Sequence, residues 1–155
     1  MFRLSNVTKT FNAGKPNQCV AVSGVDLTIE AGKITAFTGP SGSGKTTLLT
    51  LVGCMARPTA GRIWLGEREL TSLPERFLTA TRRKMFGFIF QQFNLIKGLS
   101  VLENVMLPAY PNGEASRPLK ERAAMLLDLF GLSHKSGFNV EWLSGGEAQR
   151  SAIAR

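Results

Sequence analysis

The stretch GPSGSGKT, from Gly39 to Thr46, constrains this chain more than any other. It fits the phosphate-loop pattern G-x-x-x-x-G-K-[ST] and stands where that device works, after the strand-like KITAFT and before a run of leucines. Gly39, Gly42 and Gly44 admit backbone angles closed to other residues, so successive amides can converge on phosphate oxygens. The free amides and positive dipole end of the following helix aim at the same point. Pro40, Ser41 and Ser43 complete the loop. Lys45 is placed to reach the β- and γ-phosphates, Thr46 to offer its hydroxyl to Mg2+, and Thr47 to add a contact to the α-phosphate. The ligand implied is a nucleoside triphosphate with its metal.

Around the loop the pattern alternates strands and helices. VDLTIEAGKITAFTG reads as two strands about a turn at Ala31-Gly32, and RIWLG and FGFIF read as two more. Leu48, Leu49, Leu51, Val52 and Met55 mark a helix after the loop. Leu119, Ala123, Leu126, Leu127 and Phe130 mark a second, which stops at Gly131 in a natural C-terminal capping position. Ser100 and Glu103 fit an S-x-x-E capping box, as do Ser144 and Glu147. The segment Pro108 to Pro118, rich in breakers, reads as an exposed connection. The order of elements favours an α/β fold.

Binding a triphosphate is separate from cleaving it. Cleavage also requires a carboxylate on a second strand to hold the metal and a group that places the attacking water. Asp128 is the only aspartate after the loop, and it falls inside the second helical pattern rather than at a strand end.

Three stretches in order, GPSGSGKT, FIFQQFNL and LSGGEAQRSAIAR, resemble the nucleotide-binding domain of ATP-binding cassette (ABC) transporters, and the likeness runs from Leu4 to Arg155. FIFQQFNLIKGLSVLENVMLP is most similar to the subfamily of lipoprotein-releasing and macrolide-export ATPases. The resemblance implies an α/β P-loop NTPase of ABC type, with an N-terminal antiparallel β part, a partial parallel-sheet core and a helical subdomain. It divides the chain into a nucleotide-binding core over residues 1–92, a helical subdomain over 93–146, and the signature with the start of its helix over 143–155.

It also implies roles that spacing does not supply. Phe11, which burial tendency alone makes a strand core residue, takes the place of the aromatic that stacks on adenine. Gln91, rather than Gln92, matches the glutamine whose amide oxygen ligates Mg2+, and as a hydrolytic residue it would act beside Lys45. Ser144, Gly145 and Gly146 would meet the γ-phosphate held by the loop of a second nucleotide-binding domain, packed head to tail. Position 147 commonly holds Gln in the family. Here it is Glu, whose charge suits a helix cap better than contact with phosphate.

By the same pattern the chain is incomplete at its C-terminus, ending before the Walker B aspartate, the catalytic glutamate, the D-loop and the switch histidine. His134 precedes the signature and reads as an exposed loop residue. The full-length parent is expected to be a transport-coupled ATP hydrolase, and the 155 residues alone are expected not to turn over. The partners implied are a second copy and an integral membrane subunit, with the protein cytoplasmic and peripheral on the inner face of the membrane. Two alternatives stand beside this: a soluble ABC ATPase acting on DNA, or a nucleotide-binding fragment without turnover.

Composition enters at three points. The formal charge of +8 and pI near 10.1 suit nucleic acid, an acidic membrane or a phosphorylated ligand alike. The densest cluster, Arg82-Arg83-Lys84, has no interleaved aromatics and fits a solvated helix C-terminus, so nucleic acid is not expected as a partner. Cys19 and Cys54 lack metal or disulfide spacing and read as plain packing or solvent-facing residues.

Overall fold

A computed structural model describes residues 1–155. They form two compact units, Met1–Gly87 and Phe88–Arg155.

The first unit is built on a long hairpin, β1 (Phe2–Phe11) and β2 (Cys19–Ile29), with β3 (Ala60–Leu65) on the other side of β1 and the short β4 (Arg68–Glu69) beyond it. The sheet order is β2-β1-β3-β4, and every pairing is antiparallel. Alternation sorts its faces. Leu4, Val7, Val22 and Ile63 point one way and bury against Leu51 and Val52 of α1 (Lys45–Val52) and Leu78 of α2 (Glu75–Met85). On the opposite face the Arg3 guanidinium lies 4.4 Å from the centroid of the Trp64 ring.

The ladder is irregular between Ser5 and Thr8, where β1 and β3 approach closely. A Cβ on Gly61 would sit 2.2 Å from the Asn6 carbonyl oxygen. Glycine at that position is a steric requirement.

Two of the strands expected from sequence are absent. KITAFT (33–38) and FGFIF (86–90) are not among the strands of the sheet. Their composition suits a strand, but a strand exists through its ladder, and the β2-β1-β3-β4 ladder does not include them. Ile34 is fully exposed in consequence, and Ile89 largely so. The basic cluster Arg82-Arg83-Lys84 does occupy the last turn of α2. Arg82, however, is not left to water: it donates to the Cys54 carbonyl at 2.6 Å and to Glu75 at 2.7 Å.

The second unit packs α3 (Val101–Met106), α4 (Ser116–Leu129) and α5 (Gly145–Ala154) around Val101, Val105, Leu119, Ala123, Leu127, Leu132 and Val140. Helix α4 ends as its sequence requires. Gly131 takes a left-handed φ of 66°, its N–H donates to the Asp128 carbonyl at 2.9 Å, and the Leu132 N–H donates to the Leu127 carbonyl at 2.7 Å. This is a Schellman closure, and its accompanying apolar contact is the fully buried pair Leu127 and Leu132. The breaker-rich segment before α4 is mostly exposed but not structureless, since Leu107–Asn112 forms 3-10 turns and α4 already begins at Ser116.

Candidate functional site

The phosphate loop is shaped by backbone contact. Gly44, the N-cap of α1, has φ 86°, and a Cβ there would stand 2.2 Å from the Ala21 carbonyl oxygen of β2. The chain can therefore turn into the helix only with no side chain at this position. Gly39 and Gly42 share the left-handed sign of φ, at 146° and 81°, but nothing lies within 4 Å of a Cβ on Gly42. That side of the loop is open to a ligand.

Between the loop and β2 lies a cleft of about 460 Å3, walled by Ala21, Val22, Ser23 and Val25, by Ala36–Pro40 and by Ser43, Gly44, Lys45 and Leu48. Lys45 supplies its only charge. The ammonium donates to the carbonyls of Gly39 at 2.9 Å and Pro40 at 2.7 Å, with the Ser43 hydroxyl at 3.3 Å. A phosphate entering the cleft would replace neutral carbonyl partners by charged oxygens, which make the stronger hydrogen bonds. Ser41 and Thr46 are exposed, and Thr47 is half-buried on the first turn of α1. A second concavity, of about 470 Å3, lies against Arg3, Asp26, Thr28 and Trp64. Its walls include the Asp26 carboxylate beside the Arg3 guanidinium.

Phe11 ends β1 and pairs with Cys19 across the hairpin, two residues along β2 from Ala21 in the wall of the cleft. Its ring is 42 % exposed, with the Lys9 ammonium 5.2 Å from the ring centroid. An exposed aromatic is available for stacking in a way a core residue is not.

Gln91 and Ser144–Gly146 belong to the second unit. Gln91 is exposed in a turn, and the two residues after Gln92, Phe93 and Asn94, both have left-handed φ, at 57° and 50°. Ser144 is the N-cap of α5, and the capping box is complete. The Ser144 N–H and hydroxyl both donate to the Glu147 carboxylate, at 2.8 and 2.9 Å, and the hydroxyl accepts from the Glu147 N–H at 3.4 Å. The backbone bond from Ser144, then its hydroxyl, holds the Glu147 carboxyl below the usual glutamate range, with Lys135 and Arg150 adding to the effect. Gly145 and Gly146 follow as the exposed first residues of the helix. Their amides are free for an anion.

Sequence reading missed three contributors. Ala21 walls the cleft by its backbone alone, which no residue type advertises. Asn104 is fully buried on α3, its Oδ1 accepting from the Ile96 N–H at 2.7 Å while its Nδ2 donates to the carbonyls of Ile96 at 3.1 Å and Ser100 at 3.0 Å. Arg155 donates to the Asn94 carbonyl at 2.6 Å. The one available signal was Asn104, a polar residue at a core-facing position of SVLENVM.

Residues 22–155 match the model of the family described as ABC transporter. The chain belongs to that family. Among ABC relatives, the macrolide export ATP-binding/permease protein MacB of Burkholderia thailandensis is 44 % identical over the whole chain, which spans 24 % of that protein. The lipoprotein-releasing system ATP-binding protein LolD of Cereibacter sphaeroides is 39 % identical over 155 residues, and the chain covers 69 % of it. The chain thus spans about a quarter of the first relative and somewhat over two thirds of the second. Among solved structures, the dimeric ABC transporter cassette MJ0796 superposes with a TM-score of 0.90 at 39 % identity, covering 99 % of this chain and 68 % of that one. The same cassette in a post-hydrolysis state with ADP and Pi matches equally well. The fold is that of an ABC ATP-binding cassette.

Proposed function

We propose that these residues bind MgATP as part of the energising subunit of an ABC transporter, and that the full-length protein hydrolyses it to drive a membrane partner. The observation that carries this reading is the cleft at residues 39–48: an open cradle of glycine backbone at a helix start, with one lysine and no carboxylate in its walls. A cavity of this chemistry selects a polyanion. Gly39, Pro40, Ser41, Gly42, Ser43 and Gly44 wrap the phosphates by backbone and hydroxyl groups. Lys45 bridges the terminal phosphates, Thr47 touches the α-phosphate, and Phe11 stacks on the adenine.

The residues present suit Mg2+ in kind, since a hydroxyl, a side-chain carbonyl and phosphate oxygens are hard ligands. The Thr46 hydroxyl would hold it. When bound, the metal would neutralise charge developing on the terminal phosphate. No cluster of three or more His, Cys, Asp or Glu occurs that would bind a metal alone.

A second copy completes the arrangement. Ser144, Gly145 and Gly146 meet the γ-phosphate held by the partner, so ATP joins the two copies and its cleavage releases them. The dimeric state of the solved cassette supports this. The unit Met1–Gly87 carries the nucleotide, and the unit Phe88–Arg155 holds the helical subdomain facing the membrane subunit at the inner face of the membrane. No helix of this chain is long and apolar enough to cross a membrane itself. Because the cleft walls hold no carboxylate, residues 1–155 alone bind nucleotide without turnover.

The test is binding of a fluorescent ATP analogue to the chain, with phosphate release followed in parallel. Binding that needs Lys45 and releases no phosphate is the expected outcome. Binding unaffected by Lys45→Ala refutes the assignment of the cleft.

A further inference from the structure

Helix α2 carries a stripe of positive charge that its own surroundings leave unanswered. At about 100° per residue, Arg76, Phe77, Ala80, Arg83 and Lys84 share one side of the helix, and all five are exposed. Leu78 and Thr81 are buried on the other. The one carboxylate of α2, Glu75, is turned to Arg82 at 2.7 Å and Arg57 at 3.6 Å. Arg76, Arg83 and Lys84 enter none of the chain's ion pairs. The negative end of the helix dipole accounts for cations at Arg83 and Lys84, in the last turn. It does not account for Arg76, which stands in the first turn, where the dipole disfavours a cation. The Arg76 guanidinium lies instead over the Phe77 ring, 4.8 Å from its centroid.

We propose that this face of α2 docks on an anionic phospholipid surface. From Arg76 to Lys84 the axis advances about 12 Å, so the three cations reach neighbouring headgroups of one bilayer together. Ala80, between them, is too short to hold the bilayer off. Phe77, 39 % exposed at one margin, and Met85, 61 % exposed at the end, offer apolar groups to the boundary between headgroups and acyl chains. An acidic polypeptide is the poorer fit, because the face is convex and offers neither a groove nor a free strand edge to sort one sequence from another. A charged lipid surface needs no sorting. The chain's net charge of +8 adds attraction at longer range. Neither the phosphate loop nor the signature takes part, so the proposal stands or falls apart from the nucleotide.

The test is co-sedimentation of the full chain, without nucleotide, on vesicles of phosphatidylcholine alone and of phosphatidylcholine mixed with phosphatidylglycerol. Binding should require phosphatidylglycerol and weaken as salt rises. Arg83→Ala with Lys84→Ala should lower it about thirtyfold, the loss expected for two cations at a charged surface. Arg83→Lys, which keeps the charge, should bind as the unsubstituted chain does, and Phe77→Ala should remove most of the binding that survives high salt. Lys15→Ala with Lys120→Ala takes the same charge from two other exposed positions and should have little effect. An equal loss for the two pairs would show that net charge rather than this stripe attracts the bilayer, and would overturn the proposal. Equal binding to both kinds of vesicle, or to neither, would overturn it as well. Binding of soluble polyglutamate that needs Arg83 and Lys84, without binding to vesicles, would assign the stripe to an acidic polypeptide instead.

Discussion

The glycines of the phosphate loop make a sharp physical prediction because two of them share a backbone conformation and differ in their surroundings. Gly42 has φ 81° with nothing within 4 Å of the position a methyl group would take, whereas at Gly44, φ 86°, the same atom would lie 2.2 Å from the Ala21 carbonyl oxygen. Gly42→Ala therefore incurs only the left-handed penalty, about 1–2 kcal/mol. Gly44→Ala incurs that and an overlap between two backbones, which no rotamer change relieves. Ordinary carbon-to-oxygen contact begins near about 3.3 Å, so β2 and the start of α1 must part by about 1 Å. Forcing a methyl into packed surroundings adds about 1–3 kcal/mol. The total for Gly44→Ala is about 2–5 kcal/mol, a large share of a stability of about 5–15 kcal/mol.

Gly61→Ala separates fold from site. Its Cβ would lie 2.2 Å from the Asn6 oxygen, the same overlap between β1 and β3. Urea unfolding followed by Trp64 in a Trp142→Phe background reports the first unit, and titration with a fluorescent ATP analogue reports the loop. Gly44→Ala and Gly61→Ala should lose comparable stability, but Gly44→Ala alone should also lower affinity in the fraction still folded. Gly42→Ala should be the mildest in stability. Equal destabilisation by Gly42→Ala and Gly44→Ala would refute the claim that approach to Ala21, rather than φ, dictates glycine at position 44.

Lys45→Ala should weaken triphosphate binding at least about tenfold, since a charged hydrogen bond is worth about 1.5–3 kcal/mol; calorimetry with ATP checks it. Asn104→Ala removes the acceptor of the Ile96 N–H, while the Ile96 and Ser100 carbonyls keep the Leu99 and Asn104 amides, and should destabilise the second unit by about 1–3 kcal/mol in urea unfolding read by Trp142. Glu147 has its folded pKa lowered from 4.5, so its capping contribution is complete above the ordinary glutamate range and disappears as pH falls through the lower, folded value. The Ser144 amide resonance should titrate in that acidic window, and Glu147→Gln, which keeps an acceptor for the cap, should abolish the titration.

The features legible in sequence were those whose cause is local. Both capping boxes, at Ser100 and Ser144, are complete in the structure, because the partners lie three residues apart and the geometry of a first helical turn brings them together. The end of α4 at Gly131 was legible for the same reason. The phosphate loop was legible because its glycines and lysine are contiguous. What escaped depended on partners distant in the chain. KITAFT and FGFIF have the composition of strands, but only a neighbouring strand could make them so. Arg82 reads as a solvated cation until the Cys54 carbonyl, 28 residues away, is found at its guanidinium. Asn104 stands out only as a polar residue on an apolar helix face until Ile96 folds onto it.

That division also separates how the phosphate loop and the start of α5 each resist perturbation. The loop at residues 39–46 is shaped by glycine backbone pressed against the backbone of β2, so its geometry responds to substitution and very little to solution conditions. The start of α5 depends instead on a carboxylate and a hydroxyl, and the backbone after Gln91 on one guanidinium and one amide. Side-chain hydrogen bonds of this kind have discrete alternatives: Glu147 can be protonated, the Ser144 hydroxyl can rotate away from it, and Arg155 can release the Asn94 carbonyl. Backbone overlap has none. The first kind of constraint shapes the loop at residues 39–46, and the second kind holds the start of α5 and the backbone after Gln91.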